Sequence, residues 1–267
     1  MSNTMGGAGD AMTGDMGRLG AAAKRWARGG IETLWPSRSL ITSRRGIGAG
    51  AAPPEEWTTL TFITGPVCDQ CGLPQEVDLG PAALCAACLA RPPKWSAARA
   101  ALAYDEASRR IVLDLKRSGR RDGLATLAGW MVQAGAPLLG RSDVIVPVPL
   151  HYRRIAARGF NQAGWLAAAL SRRAKVPLGI DVLRRGRSTP SQAGLSPPAR
   201  RRNVAGAFSL RRGRAARIAG KSVLLIDDVL TTGATVSACA RTLLKAGAAR
   251  VDVLTLARVV RARDASI

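Results

Sequence analysis

Two groups of residues in this 267-residue chain have types and spacings that could do chemistry. The first lies in Val223-Leu224-Leu225-Ile226-Asp227-Asp228-Val229-Leu230-Thr231-Thr232-Gly233-Ala234-Thr235. Four apolar residues read as a buried strand, with two adjacent carboxylates at its carboxyl end and a hydroxyl-rich glycine turn opening a helix. Open α/β sheets bind ligands outside the carboxyl ends of their strands. A helix N-terminus offers N–H groups and a favourable dipole to a phosphate. Thr231, Thr232 and Thr235 add hydroxyl donors, while Gly233 and Ala234 let a ligand come close to the backbone. Asp227 and Asp228 are suited to a pair of vicinal hydroxyls or to Mg²⁺. The combination suits a phosphorylated sugar. Simple helix capping needs one acid or hydroxyl, not two carboxylates and three threonines. The lysine and longer glycine spacing of a nucleotide-binding P-loop are missing.

The second group is Cys68-x2-Cys71 and Cys85-x2-Cys88, two knuckles separated by 13 residues. That is the spacing of a four-thiolate zinc ribbon, and four thiolates leave no open position for substrate, so one structural zinc is expected. Disulfide or redox chemistry is the alternative. It is disfavoured because Lys24, Arg25 and Arg28 interrupt the only Ala-rich stretch near the N-terminus, which leaves no secretory signal pattern and points to a cytoplasmic location. Cys239 stands alone in a helical stretch and reads as a small buried hydrophobe. His151 is the single histidine, which removes His-based triads and multi-His metal sites; as a residue it reads as a surface polar group.

The elements that must hold these groups alternate. Ala98–Ala103, Val144–Val148, Ser222–Ile226 and Val251–Ala257 read as strands. Ser108–Leu115, Leu124–Ala134, Ala163–Ala174 and a segment from about Gly233 to Ala246 read as helices, the last stopped by Gly247. Strands separated by helices imply an α/β fold with a mainly parallel sheet covered on both faces. Residues 1–55 read as a weakly ordered segment rich in Gly, Ala and Met. Residues 56–94 form the small cysteine unit, and residues 95–267 the α/β domain.

Charge sharpens the functional class. The chain carries 40 Lys+Arg against 18 Asp+Glu, a net charge of +22, and +17 of this falls in residues 105–220. From Val182 to Ile226 there is no acidic residue. Such a field favours phosphates or nucleic acid. Aromatic residues are only 4% of the chain, so a grip on a nucleic-acid backbone fits better than base readout. No apolar run approaches the length of a membrane span.

The Val223–Thr235 stretch closely resembles the phosphoribosyl-pyrophosphate (PRPP) signature of type I phosphoribosyltransferases. Further segments narrow the likeness: Val144-Ile-Val-Pro-Val-Pro149, Arg158-Gly-Phe-Asn-Gln162, Thr189-Pro-Ser-Gln192-Ala-Gly-Leu195 and Arg200-Arg-Arg-Asn203-Val-Ala-Gly-Ala-Phe208. Together they resemble the ComF family, over about Thr59 to Arg258. That resemblance implies a small zinc ribbon followed by a Rossmann-like type I phosphoribosyltransferase domain, in proteins linked to DNA uptake by competent bacteria. By the same resemblance Asp227 and Asp228 hold the ribose hydroxyls of PRPP with Mg²⁺ present, and Thr231 to Thr235 hold the 5-phosphate. Lys116, Arg158, Gln192 and Arg202 fall on loops that would face the phosphates, with residues 184–206 as a closing loop. The activity implied is transfer of phosphoribose to a nitrogen acceptor with release of pyrophosphate. The alternative is a non-catalytic accessory module that binds phosphate, single-stranded DNA or the competence helicase. Many members carry a further pair of knuckles upstream. Here Ser39-x2-Thr42 and Pro53-x2-Glu56 stand in those places and supply no thiolate.

Overall fold

The computed structural model describes residues 57–260 except 79, 118, 120, 122 and 188–195. The expectations for residues 1–55, for the upstream knuckle positions and for Gln192 therefore lie outside the described residues. A one-turn helix α1 (Ala86–Ala90) belongs to the cysteine unit. The α/β domain then runs β1 (Ala98–Ala103), α2 (Glu106–Arg117), α3 (Leu124–Leu139), β2 (Val144–Pro147), α4 (Tyr152–Arg158), α5 (Gln162–Ala174), β3 (Leu183–Arg185), α6 (Pro197–Val204), β4 (Phe208–Leu210), β5 (Ser222–Leu230), α7 (Ala234–Lys245) and β6 (Arg250–Arg258).

Strands β1, β6, β5 and β2 form a parallel sheet in that order. Even-numbered β5 residues, Leu224 and Ile226, pack with α2, α3 and α5 in one apolar cluster. Odd-numbered residues, Val223 and Leu225, pack with α7 in another. This is the period-two alternation of a strand buried on both faces. α5 covers one face of β5 and α7 the other, while the intervening β3, α6 and β4 join the α7-side cluster through Leu183, Val204 and Phe208. Open α/β sheets bind ligands at the carboxyl ends of such strands. β3 and β4 pair antiparallel as a separate arm, tied to the sheet domain by a bridge between His151 and Arg185.

The four expected strands and four expected helices all form. Two ends differ. β5 continues past Ile226 to Leu230 because β6 still pairs with it there, whereas β2 stops at Pro147 opposite Ile226. α3 continues past Ala134, through Pro137, to Leu139. The stretch after Val148, expected as loop, contains α4, and the basic stretch 184–206 contributes β3 and α6.

α3 lies so close to the sheet that a Cβ on Gly135 would sit 2.5 Å from Leu254 Cδ2. Leu254 is fully buried and has little room to yield. Gly135→Val should therefore cost about 1–3 kcal/mol, read as a lower urea midpoint at unchanged slope. A midpoint equal to wild type would contradict the close helix–sheet packing.

Candidate functional site

Asp227 and Asp228 sit on β5 just beyond the last residue paired with β2. Being consecutive in a strand, they address opposite faces of the sheet. Asp228, on the α2 face, accepts from Lys116 Nζ at 2.8 Å, with side chains 15% and 29% exposed respectively. Lys116, in the last turn of α2, is thus brought to the acids as the sequence reading expected. Asp227 lies on the α7 face. Its Oδ1 accepts the Asp228 N–H at 2.9 Å. Burial, and then the charge of Asp228, push the Asp227 carboxyl up to about 8, against the pull of that N–H, Lys116 and Arg185.

Arg185 is the partner that the sequence reading did not single out. It is only 7% exposed, although it lies in a run of arginines. Its guanidinium stands 5.3 Å over the Phe208 ring. Burial, then the charge of Arg154, lower its proton affinity, and Asp227 opposes that loss. The burial of Leu183 and Arg185 around exposed Arg184 follows strand alternation. That period, rather than residue type, is the signal that could have found it. Cys239, behind Asp227, is fully buried as expected, and burial pushes its thiol well up.

After Leu230 the chain turns through Thr231 and Thr232 into Gly233, which caps α7 at φ +70°. Only glycine fits there: a Cβ would lie 2.5 Å from Cη2 of Trp95, and the positive φ is itself unfavourable for an L side chain. N–H groups in a helix's first turn have no intrahelical acceptors. Ala234 is buried at that first turn, and Thr231 is exposed. Thr232 Oγ1 is buried with no hydrogen-bond partner among the described residues. An orphaned hydroxyl at a helix start beside two acids is what a missing oxygen ligand would explain.

The remaining phosphate-loop expectations divide. Arg158 is exposed in the last turn of α4 and Arg202 is exposed in the last turn of α6. Neither is brought against the acids as Lys116 is. His151 corrects the expectation of a surface group. It is 3% exposed, and its Nδ1 accepts from the Arg153 N–H at 3.3 Å, capping α4 while the backbone bridges to Arg185. Several arginines of the basic block serve the fold. Arg214 and Arg217 both pair with Asp181. Arg187 donates to the carbonyls of Asn203 and Ala205 at the end of α6.

The four cysteines are all buried, and their sulfurs lie within 4.8 Å of one another. Cys71 and Cys85 Sγ are 3.7 Å apart. A tetrahedron with metal–sulfur bonds of about 2.3 Å has sulfur–sulfur edges of about 3.8 Å. All four are free thiols, not disulfides. With no cation among them they cannot all ionise. Cys68 is pulled down to about 4 by accepting from Cys71, which is itself held well up, and burial pushes Cys88 up to about 12. A divalent cation removes that conflict, so the donor set fits Zn²⁺.

Several known proteins and one domain family are similar to this chain. The sequence model of the phosphoribosyl transferase domain matches residues 155–266. DNA utilization protein YhgH of Salmonella typhi is 35% identical over 202 residues, spanning 73% of this chain and 85% of the relative. Competence protein ComFC of Bacillus subtilis is 29% identical over 208 residues, spanning 74% and 80%. Competence protein F of Haemophilus influenzae is 39% identical over 116 residues, spanning 43% and 50%.

The raised Asp227 carboxyl gives a stability signature in the absence of ligand and Mg²⁺. The folded value, about 8, exceeds the ordinary 3.8, so folding takes up a proton between these two pH values. The contribution is complete below the lower value and lost as pH rises through the upper one. Asp227→Asn imitates the neutral acid. Its Tm should climb relative to wild type from pH 4 to 8, and parallel Tm curves would contradict a buried titrating carboxyl.

Proposed function

We propose, since this chain belongs to the ComF family and has the type I phosphoribosyltransferase fold preceded by a cysteine cluster compatible with a zinc ribbon, that its β5–α7 turn binds PRPP with Mg²⁺. One observation carries the reading: Asp227 and Asp228 stand beside the glycine-capped start of α7, where Thr232 Oγ1 is buried with no hydrogen-bond partner among the described residues. In this reading the acids accept from the ribose hydroxyls. The 5-phosphate takes the hydroxyls of Thr231, Thr232 and Thr235 and the backbone N–H groups around Gly233 and Ala234. Lys116 bridges between Asp228 and the diphosphate. In the same reading Arg158, Gln192 and Arg202 serve the phosphates of the ligand. Bound Mg²⁺ supplies charge neutralisation on the pyrophosphate.

If the pocket turns over, a nitrogen lone pair forms a bond to the sugar C1 as the C1–oxygen bond breaks. That electron pair leaves with pyrophosphate, and the nitrogen's proton passes to water. The chain contributes orientation of the sugar and cations facing the departing charge. The four thiolates of Cys68, Cys71, Cys85 and Cys88 hold one structural zinc. The division into a ribbon at 56–94 and a transferase domain at 95–267 belongs to the same proposal.

A second reading, a non-catalytic role in DNA uptake, is favoured by the names of the relatives and by the exposed arginines of α6. There the domain binds a sugar phosphate and grips single-stranded DNA by its backbone, or meets a helicase. A cytoplasmic location is part of this proposal. Among the described residues no helix is long and apolar enough to cross a membrane.

Calorimetric titration of Mg²⁺·PRPP tests the pocket. Asp227→Asn with Asp228→Asn removes two charge-assisted hydrogen-bond acceptors, at roughly 1.5–3 kcal/mol each, so affinity should fall about 100-fold or more. Equal affinity in both proteins would sink the assignment. Pyrophosphate release with any nucleobase identifies an enzyme, and binding without release across nucleobases favours the module. For DNA, affinity should drop steeply with salt and on neutralising Arg200, Arg201 and Arg202 together; a flat salt response would contradict a backbone grip. Metal analysis should give one zinc per chain, and a value near two would contradict the single four-thiolate site.

A further inference from the structure

The first cysteine knuckle is fastened to the α/β domain at every residue between and just after its two sulfurs. Asp69 O accepts the Ala98 N–H at 3.2 Å, and its carboxylate pairs with Arg99. Gln70 O accepts Trp95 Nε1–H at 2.6 Å. Cys71 Sγ lies 3.3 Å from Nη2 of Arg258, the last residue of β6. Gly72, at φ +69°, lies so close to β1 that a Cβ would stand 2.8 Å from Ala98 O.

Trp95 carries one of these fastenings into the β5–α7 turn. Its indole N–H is held by the knuckle. The far edge of the same ring, Cη2 and Cζ3, lies against Gly233, where a Cβ would be 2.5 and 3.2 Å away. The ring is only 7% exposed and packs in the apolar cluster that includes Leu230 and Ala234, the residues on either side of the turn. A rigid two-ring side chain thus spans from the peptide between Cys68 and Cys71 to the capping residue of α7. The Arg258 contact forms a second strut, since Arg258 pairs with Leu230 across the sheet.

We propose that Trp95 is a positioning residue that couples the cysteine cluster to the β5–α7 turn, so that metal at the four thiolates sets how firmly the turn is formed. The physical chain is short. A metal ion closes the knuckle and fixes the direction of the Gln70 carbonyl. That carbonyl orients the indole, and the indole limits Gly233 and the first turn of α7. Without metal the four sulfurs have no common tie, the knuckle relaxes, and the Gln70 carbonyl no longer holds the indole N–H. The Gly233 conformation then has one restraint fewer. The inference rests on the reading of the turn as a sugar-phosphate site only for its effect on affinity, not for the coupling itself.

Hydrogen exchange of the full chain separates the two. In the zinc-loaded protein, amides 237–240, which begin with the Ser237 N–H donated to Gly233 O and are the first of α7 with helical acceptors, should be protected. Removing zinc with a chelator should speed their exchange at least tenfold while amides 162–174 of α5 stay unchanged. Trp95→Phe keeps a ring against Gly233 but lacks the N–H to Gln70. At matched zinc content it should show the fast exchange and little further response to chelator. Unchanged exchange on zinc removal in wild type would overturn the coupling. So would equal acceleration throughout the domain, which is global loosening, or a chelator response in Trp95→Phe as large as in wild type. As a second readout, Mg²⁺·PRPP affinity of wild type should fall about tenfold on zinc removal. Zinc-loaded wild type that binds no PRPP would refute the ligand reading alone, while the exchange result would still decide the coupling.

Discussion

Two carboxylates on consecutive residues of a largely buried strand repel each other and resist desolvation, and the cations of the domain are arranged around that cost. α2 ends with Lys116 against Asp228. β3 turns Arg185 inward from a segment otherwise rich in exposed arginines, beside Asp227. The two cations come from opposite faces because the two acids address opposite faces. Even so, Asp227 keeps its proton well above the ordinary carboxylate range. A site with a buried carboxyl that resists ionisation and an orphaned hydroxyl is suited to a polar ligand rich in hydroxyls and phosphate oxygens, not to an apolar one.

Much of this was legible in the sequence because the relevant signals are local. Val223 to Ile226 is an apolar run long enough for a doubly buried strand, and the acids, threonines and glycine follow without interruption. Cys-x2-Cys spacing states its geometry almost outright. The elements missed were those whose role depends on contacts distant in sequence. Nothing near His151 marks it as buried; it becomes so because the β3–β4 arm docks beside it. Arg185 differs from Arg184 only in strand phase. Trp95 opened a domain in the sequence reading, and only the fold brings it to both Gln70 and Gly233. The end of β5 was set too early because an apolar run marks where burial on both faces ends, whereas pairing with β6 continues through two aspartates.

The basic surplus also changes meaning. In composition it was a single field favouring polyanions. In the fold, Arg141 and Arg250 neutralise the buried Asp252, Arg214 and Arg217 hold Asp181, and Arg187 closes the end of α6. These are structural. Most of the described basic side chains still face solvent, Arg158, Arg201 and Arg202 among them, and it is these that a nucleic-acid role has to use.

The central claim is that the β5–α7 turn is the seat of a phosphorylated sugar. A ¹⁵N–¹H spectrum of the zinc-loaded chain, titrated with Mg²⁺·PRPP, tests it directly. The account predicts saturable shifts concentrated at the amides of Thr232, Gly233, Ala234 and Thr235, with Asp228 moving in step. Saturation with these amides unmoved and the shifts gathered elsewhere would contradict it.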